Sequence, residues 1–169
     1  MASSSINGAR PSALSVDWYE KLLSVGAAVL LCFVIAALVR GYDQWAQIPP
    51  MVWFHLLTIG IAVALTPVML LRRRGDQPHR WLGRVWVVAM LLTALGSFAI
   101  RSVNHGGFSV IHLLSAWTLV QVPIIWWSAR AHNLKRHRRS VRAMVTGALL
   151  IAGFFTFPFN RMLGQFLFG

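Results

Sequence analysis

The sequence is poor in acidic residues: four Asp and Glu stand against sixteen Lys and Arg, which gives a formal net charge of +12 at pH 7. The four acids all lie outside the long apolar segments, at Asp17, Glu20, Asp43 and Asp76. A transporter that moves protons or cations through a carboxylate needs an acid within the membrane, so we do not expect that class of protein. The sequence also lacks a glycine-rich phosphate loop and a His-Glu-x-x-His motif, which leaves hydrolase chemistry without support.

Cysteine is nearly absent as well. The single cysteine, Cys32, lies in the middle of an apolar run. One cysteine excludes an intrachain disulfide and a Cys-x-x-Cys site, so we interpret it as a small hydrophobic residue. Cysteine usage therefore gives no indication of the redox compartment.

Hydrophobic residues, in contrast, make up 57% of the chain, and its mean hydropathy is +0.62. A soluble domain is about 45–50% apolar, and a membrane-spanning helix needs about 20 apolar residues. The sequence predicts an all-α polytopic membrane helical bundle with five transmembrane helices. Their expected ranges are 22–40, 51–71, 81–100, 108–128 and 142–159. Because the linkers are short, we expect one membrane domain over 16–169, after a disordered N-terminus at 1–15.

The distribution of positive charge predicts the orientation of these spans. Loops 72–84 and 130–142 hold most of the Lys and Arg, whereas the opposite side has only Arg40, Arg101 and Arg161. Cytoplasmic loops carry the excess of basic residues, so we expect a cytoplasmic N-terminus and an outside C-terminus in a bacterial inner membrane. Basic residues clustered in such loops are typical of contacts with anionic lipid headgroups, and nucleic acid is not an expected partner.

An internal repeat runs through the apolar part of the chain. The first copy contains His55-Leu56-Leu57-Thr58, then Pro67, then His79-Arg80-x-x-x-Arg84. The second copy contains His112-Leu113-Leu114-Ser115, then Pro123, then His137-Arg138-x-x-x-Arg142. Self-similarity of this kind predicts a duplicated unit, so we expect the last four spans to form two parallel pseudo-repeated hairpins.

Two histidines of the repeat, His55 and His112, are predicted at matching depth in the outer third of the membrane. In a repeat with an axis along the membrane normal, their imidazoles would face each other and bind the iron of a haem b. The expected chemistry is one-electron transfer, with a membrane quinone or a redox protein as partner. The alternative is structural: each imidazole forms a helix-to-helix hydrogen bond through Thr58, Ser115 or a backbone carbonyl.

A second pair, His79 and His137, is predicted at the cytoplasmic edge, where it would bind a second haem or, alternatively, lie among the headgroups. Four arginines are candidates for contacts with haem propionates, a quinol or lipid headgroups. They are Arg84, Arg142, Arg101 and Arg161. The alternative for these arginines is that they extend to the membrane surface as simple anchors.

These motifs carry a resemblance over residues 50–161. His55, the stretch His79-Arg80-Trp81-Leu82-Gly83-Arg84-Val85, His112 and His137-Arg138-Arg139 resemble a family of small bacterial multi-pass membrane proteins of unknown function. That resemblance implies a fold and a location, and no assigned activity. The layout is also similar to di-haem b-type transmembrane cytochromes, which implies one haem at His55 and His112 and another at His79 and His137.

Two functions therefore follow from the sequence. The first is haem b-dependent electron transfer across the membrane, in which case the protein is an oxidoreductase subunit. The second is a non-catalytic membrane accessory subunit or a scaffold that binds anionic lipids through its basic loops. The sequence leaves the oligomeric state open, a homo-oligomer included.

Overall fold

The computed structural model describes residues 15–100 and 110–169, and within these ranges the chain is helical and contains no strand. Its elements are α1 (Trp18–Arg40), a 3₁₀ helix (Tyr42–Gln47), α2 (Pro50–Leu71), α3 (Gln77–Ala99), α4 (Val110–Arg130), α5 (Leu134–Met144), a π-helical segment (Val145–Ile151), α6 (Ala152–Phe154) and α7 (Met162–Phe168). The all-helical prediction is confirmed for this part of the chain. The predicted disorder of the N-terminus falls on residues outside the described ranges, apart from Ser15.

Three helices, α1, α2 and α3, are long and apolar enough to cross a membrane, which indicates a membrane protein. Each begins one to four residues before the predicted span. The reason is that N-terminal capping extends two of these helices beyond their apolar part. Asp17 and Glu20 form a capping box at the start of α1, and the Asp76 side chain accepts a 2.8 Å hydrogen bond from the His79 N–H of α3.

The last predicted span, 142–159, differs from the structure. Instead, α5, the π-helical segment and α6 form one rod that begins at Leu134 and ends at Phe154. Pro158 has no N–H to continue the helix, and Phe159 and Asn160 take left-handed φ angles of 62° and 59°. The rod consequently has a polar first half and an apolar second half.

The helices pack in chain order, α1 on α2, α2 on α3, α3 on α4 and α4 on α5, and the π-helical segment returns to α1. A hydrogen bond of 2.8 Å between the Tyr19 hydroxyl and Thr146 Oγ1 joins α1 to that segment. Trp86, Met90 and Met144 are buried in the largest hydrophobic cluster. At the opposite end, α7 packs against α1.

Hydrogen bonds between side chains connect α2 to α3 through the apolar interior. The Thr93 hydroxyl donates to Thr58 Oγ1 at 2.8 Å, and the Trp86 indole N–H donates to Thr66 Oγ1 at 3.0 Å. Side chains of this kind bind helices together where lipid offers no competing partner. These hydrogen bonds hold α2 and α3 together, and the two helices position the side chains at both ends of the pair.

Two glycines provide a matched test of how α7 is held. A Cβ at Gly164 would overlap the backbone carbonyl of Phe157, which cannot move without displacing the turn before α7, whereas a Cβ at Gly60 meets nothing within 4 Å. We expect Gly164→Ala to destabilise the protein by about 1–3 kcal/mol. Gly60→Ala should be neutral or stabilise by up to about 1 kcal/mol, because alanine favours the helix. Thermal unfolding in detergent compares the two; equal melting temperatures would show that the contact with Phe157 is unimportant.

Candidate functional site

The site begins with two acids at the start of α1. The capping box brings the Glu20 carboxylate back over the first turn, where the Asp17 N–H donates to Glu20 Oε2 at 3.3 Å and the Glu20 N–H donates to Asp17 Oδ1 at 3.0 Å. Glu20 is 1% exposed although it is charged, and its own carbonyl accepts a 2.7 Å hydrogen bond from Ser24. A carboxylate is buried this deeply only when other groups compensate its charge.

Three arginines from two distant parts of the chain compensate Glu20. Arg138 approaches with two nitrogens, Nε at 2.8 Å from Oε1 and Nη2 at 3.1 Å from Oε2. Arg142, one helical turn later in α5, contacts Oε1 at 3.1 Å, and Arg74 of the α2–α3 loop contacts Oε2. The two-nitrogen contact of Arg138 is the strongest geometry that an arginine and a carboxylate adopt.

Asp17 belongs to the same cluster. It contacts Arg142 and lies 3.1 Å from Arg138 Nη2. Burial opposes its ionisation, but the hydrogen bond from the Glu20 N–H and the contact with Arg142 outweigh burial, so the pKa of Asp17 lies below its usual value. We call these five residues, Asp17, Glu20, Arg74, Arg138 and Arg142, the ion cluster. Three guanidinium groups and two carboxylates give it a net charge of +1.

A cavity of about 30 Å³ lies beside the ion cluster, enough for about two water molecules. Glu20, Arg74 and Arg138 line it together with His79 and His137, above an apolar floor that includes Trp86. His137 Nδ1 lies 3.1 Å from the Ile125 carbonyl oxygen, so this nitrogen carries a hydrogen and donates it. Burial lowers the pKa of His137, the hydrogen bond to Ile125 only partly offsets this, and the nearby charge of Arg74 lowers the pKa further, which favours the neutral ring.

His79 completes the cavity from the first turn of α3. Its backbone N–H donates a hydrogen bond to the side chain of Asp76, the N-cap of α3. Its ring Nδ1 is buried and has no hydrogen-bond partner among the described residues. A buried ring nitrogen without a partner is costly in a low-dielectric interior. The ring also interacts with the Met69 backbone carbonyl, and a water in the adjacent cavity would satisfy the remaining nitrogen.

The structure brings His79 and His137 to one cavity. Of the arginines predicted to contact propionates or headgroups, Arg142 has a different role. Arg142 contacts Asp17 and Glu20 inside the protein instead of extending to lipid or a propionate. Arg84 is exposed on α3, and Arg161 lies at the start of α7, at the opposite end of the bundle. Arg101 lies outside the described residues.

The other histidine pair makes its contacts with α3. His55 Nδ1 lies 3.1 Å from the Ser97 hydroxyl, and the His112 ring packs against Phe98 with 5.8 Å between ring centroids. Ser97 and Phe98 are neighbours in the last turn of α3, so both rings are directed to that turn. For His55, this is the helix-to-helix hydrogen bond of the structural alternative, with Ser97 as the partner in place of Thr58.

The cavity between His79 and His137 is small beside a haem. An organic cofactor occupies a pocket of roughly 300–1,000 Å³ and this cavity measures about 30 Å³, and a second haem at this pair stays a prediction. In the part of the chain that the structure describes, no group of three or more His, Cys, Asp or Glu side chains is placed to hold a metal ion. The inner cavity has instead the size and polarity of a site for a very small ligand.

Sequence reasoning missed the acids of this site. Glu20 precedes the apolar segment in the sequence, but α1 begins at Trp18, so the carboxylate lies within the helix and is buried. Two signals were available: the Asp-x-x-Glu spacing of a capping box and the spacing of four between Arg138 and Arg142, which places both on one helix face. Neither signal by itself shows that the two helix ends meet.

Comparison with known proteins adds no relative. No family model matches the chain, no curated protein matches it in sequence, and no solved structure matches its fold.

Removal of the Glu20 charge tests the ion cluster. Glu20→Gln leaves three guanidinium groups close together with one carboxylate, and breaking a buried ion pair in this way costs about 3–5 kcal/mol of unfolding free energy. Glu20→Gln combined with Arg142→Gln should recover part of that loss, because one surplus positive charge is removed. Asp43→Asn, in the exposed 3₁₀ helix, is the control and should change stability by less than about 0.5 kcal/mol. If Glu20→Gln unfolds like the wild type in denaturant titrations, the cluster does not stabilise the fold.

Proposed function

We propose that the protein is a non-catalytic integral membrane protein, an accessory subunit or scaffold, whose basic end binds anionic lipid headgroups. One observation carries this proposal: many exposed basic residues gather at the end of the bundle that holds the ion cluster. They are Lys21, Arg72, Arg73, Arg80, Arg84, Arg130, Lys135, Arg136 and Arg139.

The acids at this end compensate the charge of only one of those nine bases, Arg72. Asp17 and Glu20 are occupied by the arginines of the ion cluster, and Asp76 forms an i,i+4 pair with Arg72 at 3.0 Å. The remaining exposed bases therefore present a positive surface where the apolar helices end. Each Lys or Arg near an anionic membrane surface contributes about 1 kcal/mol of attraction.

Aromatic side chains support a headgroup position for this surface. Trp81 follows Arg80 in the first turn of α3 and is 62% exposed, and Arg130 lies over the ring of Trp126 at 5.1 Å. Tryptophan favours the interface between hydrocarbon and water. Exposed basic residues with tryptophan beside them are the pattern expected where a helical bundle meets charged headgroups.

The proposal includes the predicted topology. Helix α4 and the α5–α6 rod would cross the membrane with α1–α3, giving five spans, of which the last four form two parallel hairpins. The basic end would face the cytoplasm of a bacterial cell, with the N-terminus inside the inner membrane and the C-terminus outside. Labelling of single cysteines introduced at positions 75 and 169, in a Cys32→Ala background, tests this orientation.

Haem b-dependent electron transfer, with a quinone or redox partner, stays a prediction, with one haem at His55 and His112 and a second at His79 and His137. The support for the first pair is that the rings of His55 and His112 reach the same turn of α3. Under the lipid-binding proposal, protein expressed with added haem has no Soret band in oxidised or dithionite-reduced spectra. A stoichiometric Soret band that disappears in His55→Ala and His112→Ala would make electron transfer the function instead.

Neutralisation of the exposed basic surface tests lipid binding without touching the ion cluster. The variant Arg80→Gln/Arg136→Gln/Arg139→Gln loses about 3 kcal/mol of attraction, which corresponds to about a 100-fold weaker preference for anionic lipid. The measurement is the ratio of phosphatidylglycerol to phosphatidylcholine retained by the protein after extraction from mixed nanodiscs, read by native mass spectrometry.

The matched control for this experiment is Arg40→Gln/Arg161→Gln, which removes arginines at the opposite end of the bundle. That variant should keep the wild-type lipid ratio. An unchanged ratio in the triple variant, or an equal loss in both variants, would contradict a lipid site at the basic end.

A further inference from the structure

A pair of arginines on α3 has the same spacing as the pair on α5 that binds Glu20. Arg80 and Arg84 occupy the places in the first copy of the His-Arg-x-x-x-Arg motif that Arg138 and Arg142 occupy in the second copy. Both copies are helical, and residues four apart lie next to each other on one helix face. Each pair can therefore approach a single anion with two guanidinium groups.

The pair on α5 shows what this spacing can bind. Arg138 contacts both carboxylate oxygens of Glu20, with Nε 2.8 Å from Oε1 and Nη2 3.1 Å from Oε2. Arg142 contacts Oε1 at 3.1 Å. The two arginines thus hold one anion that offers two oxygens. A phosphodiester also offers two free oxygens and one negative charge, and guanidinium groups bind phosphate with the same paired geometry as carboxylate.

No carboxylate fills the corresponding position on α3. Arg80 and Arg84 are exposed, and within the described part of the chain neither forms an ion pair with an acid. The acids at this end are already occupied, two of them in the ion cluster and Asp76 by Arg72. An anion for the α3 pair therefore comes from outside the described chain.

The helix face that carries these arginines continues as exposed apolar side chains. Val88, Leu92 and Leu95 follow Arg84 at spacings of four, four and three residues, and they are 51%, 38% and 51% exposed. From Arg84 to Leu95 this apolar stripe is about 16 Å long, which is about half of the ~30 Å hydrocarbon core of a bilayer. A lipid whose phosphate lies at Arg84 consequently has its acyl chains beside the stripe.

The composition of this face favours a lipid over a helix of a partner protein. Closely packed membrane helices have small residues at their interface. Helix α1, which brings Glu20 to Arg138, has the buried small residues Ser24 and Ala27. The apolar stripe on α3 consists of valine and leucine instead. Trp81, beside Arg80, is 62% exposed, and tryptophan favours the interface between hydrocarbon and water.

From these observations we propose that Arg80 and Arg84 bind the phosphate of one anionic glycerophospholipid, whose acyl chains lie along Val88, Leu92 and Leu95. This inference rests on the proposed function and makes it more specific. The exposed basic surface attracts anionic lipid in general, whereas this position retains a single molecule. The lipid phosphate has the role at α3 that the Glu20 carboxylate has at α5.

Two glutamine variants of the full-length protein test the site. The protein is extracted from nanodiscs of phosphatidylglycerol and phosphatidylcholine, and native mass spectrometry at increasing collision energy counts the lipids that stay bound. Arg80→Gln/Arg84→Gln should bind the most strongly retained phosphatidylglycerol about 30-fold more weakly, because two charges beside the phosphate are lost. Arg136→Gln/Arg139→Gln removes two exposed charges from α5 at the same end and should keep that molecule.

A lysine variant separates geometry from charge. Arg80→Lys/Arg84→Lys keeps both charges but loses the planar group that contacts two oxygens at once. We expect this variant to keep the wild-type ratio of phosphatidylglycerol to phosphatidylcholine and to lose the strongly retained molecule. Retention of that molecule by the lysine variant would overturn the proposal, because charge alone would then explain it.

The source of the phosphate is tested by thermal unfolding in detergent. Phosphatidylglycerol at ten times its dissociation constant should raise the melting temperature of the wild type by about 3–6 °C, and glycerol 3-phosphate should leave it unchanged. An equal rise with glycerol 3-phosphate, or a bound protein in place of the lipid, overturns the site.

Failure of this site and failure of the lipid-binding proposal give different results. If both glutamine variants lose the retained lipid equally, the site is wrong, but the general attraction of the basic surface to anionic lipid stands. If the wild type retains phosphatidylcholine as well as phosphatidylglycerol, both the lipid-binding proposal and the site are wrong.

Discussion

The contact of Glu20 with Arg74, Arg138 and Arg142 is the interaction on which the rest of this architecture depends. It joins the start of α1 to the α2–α3 loop and to α5, three segments that are far apart in the sequence. The Ser15 carbonyl strengthens the same junction, since it accepts hydrogen bonds from Arg74 at 2.9 Å and Arg138 at 3.2 Å. One buried carboxylate therefore holds the chain together where its apolar helices end.

At the end of the bundle that holds the ion cluster, the basic residues form two groups with different roles. One group is turned inward, is occupied by the two acids and contributes to folding. The other group is exposed, has no acidic partner among the described residues apart from the Arg72–Asp76 pair, and remains available to anionic headgroups. The division explains how a protein with so much positive charge can pack tightly at the same end where it presents a charged surface.

The histidines divide in a similar way. His79 and His137 share a small polar cavity beside buried charges, while His55 and His112 contact neighbouring residues at the end of α3. The repeat in the sequence suggests equivalent roles for the two pairs, but their surroundings differ. The inner pair is adjacent to ions and to a small cavity, whereas His55 contacts a hydroxyl group and His112 packs against an aromatic ring.

The sequence alone determined the properties that arise within single segments. Apolar runs of sufficient length require helices where water is excluded, Asp17 and Asp76 mark the starts of α1 and α3, and the shared motif places His79 and His137 at equivalent helix starts. The end of the last rod at Phe154 was missed, although Pro158 stood in the sequence, because hydrophobicity continues beyond the point where the backbone turns.

Only the tertiary structure decided which charged groups meet. Arg142 and Arg84 occupy equivalent positions in the repeat, yet one binds Asp17 and Glu20 inside the protein and the other is exposed. That difference is set by the helix each arginine faces, because the stability of an ion pair depends on distance and on exclusion of water. Both quantities are fixed by how distant segments pack, and no local pattern of residues specifies them.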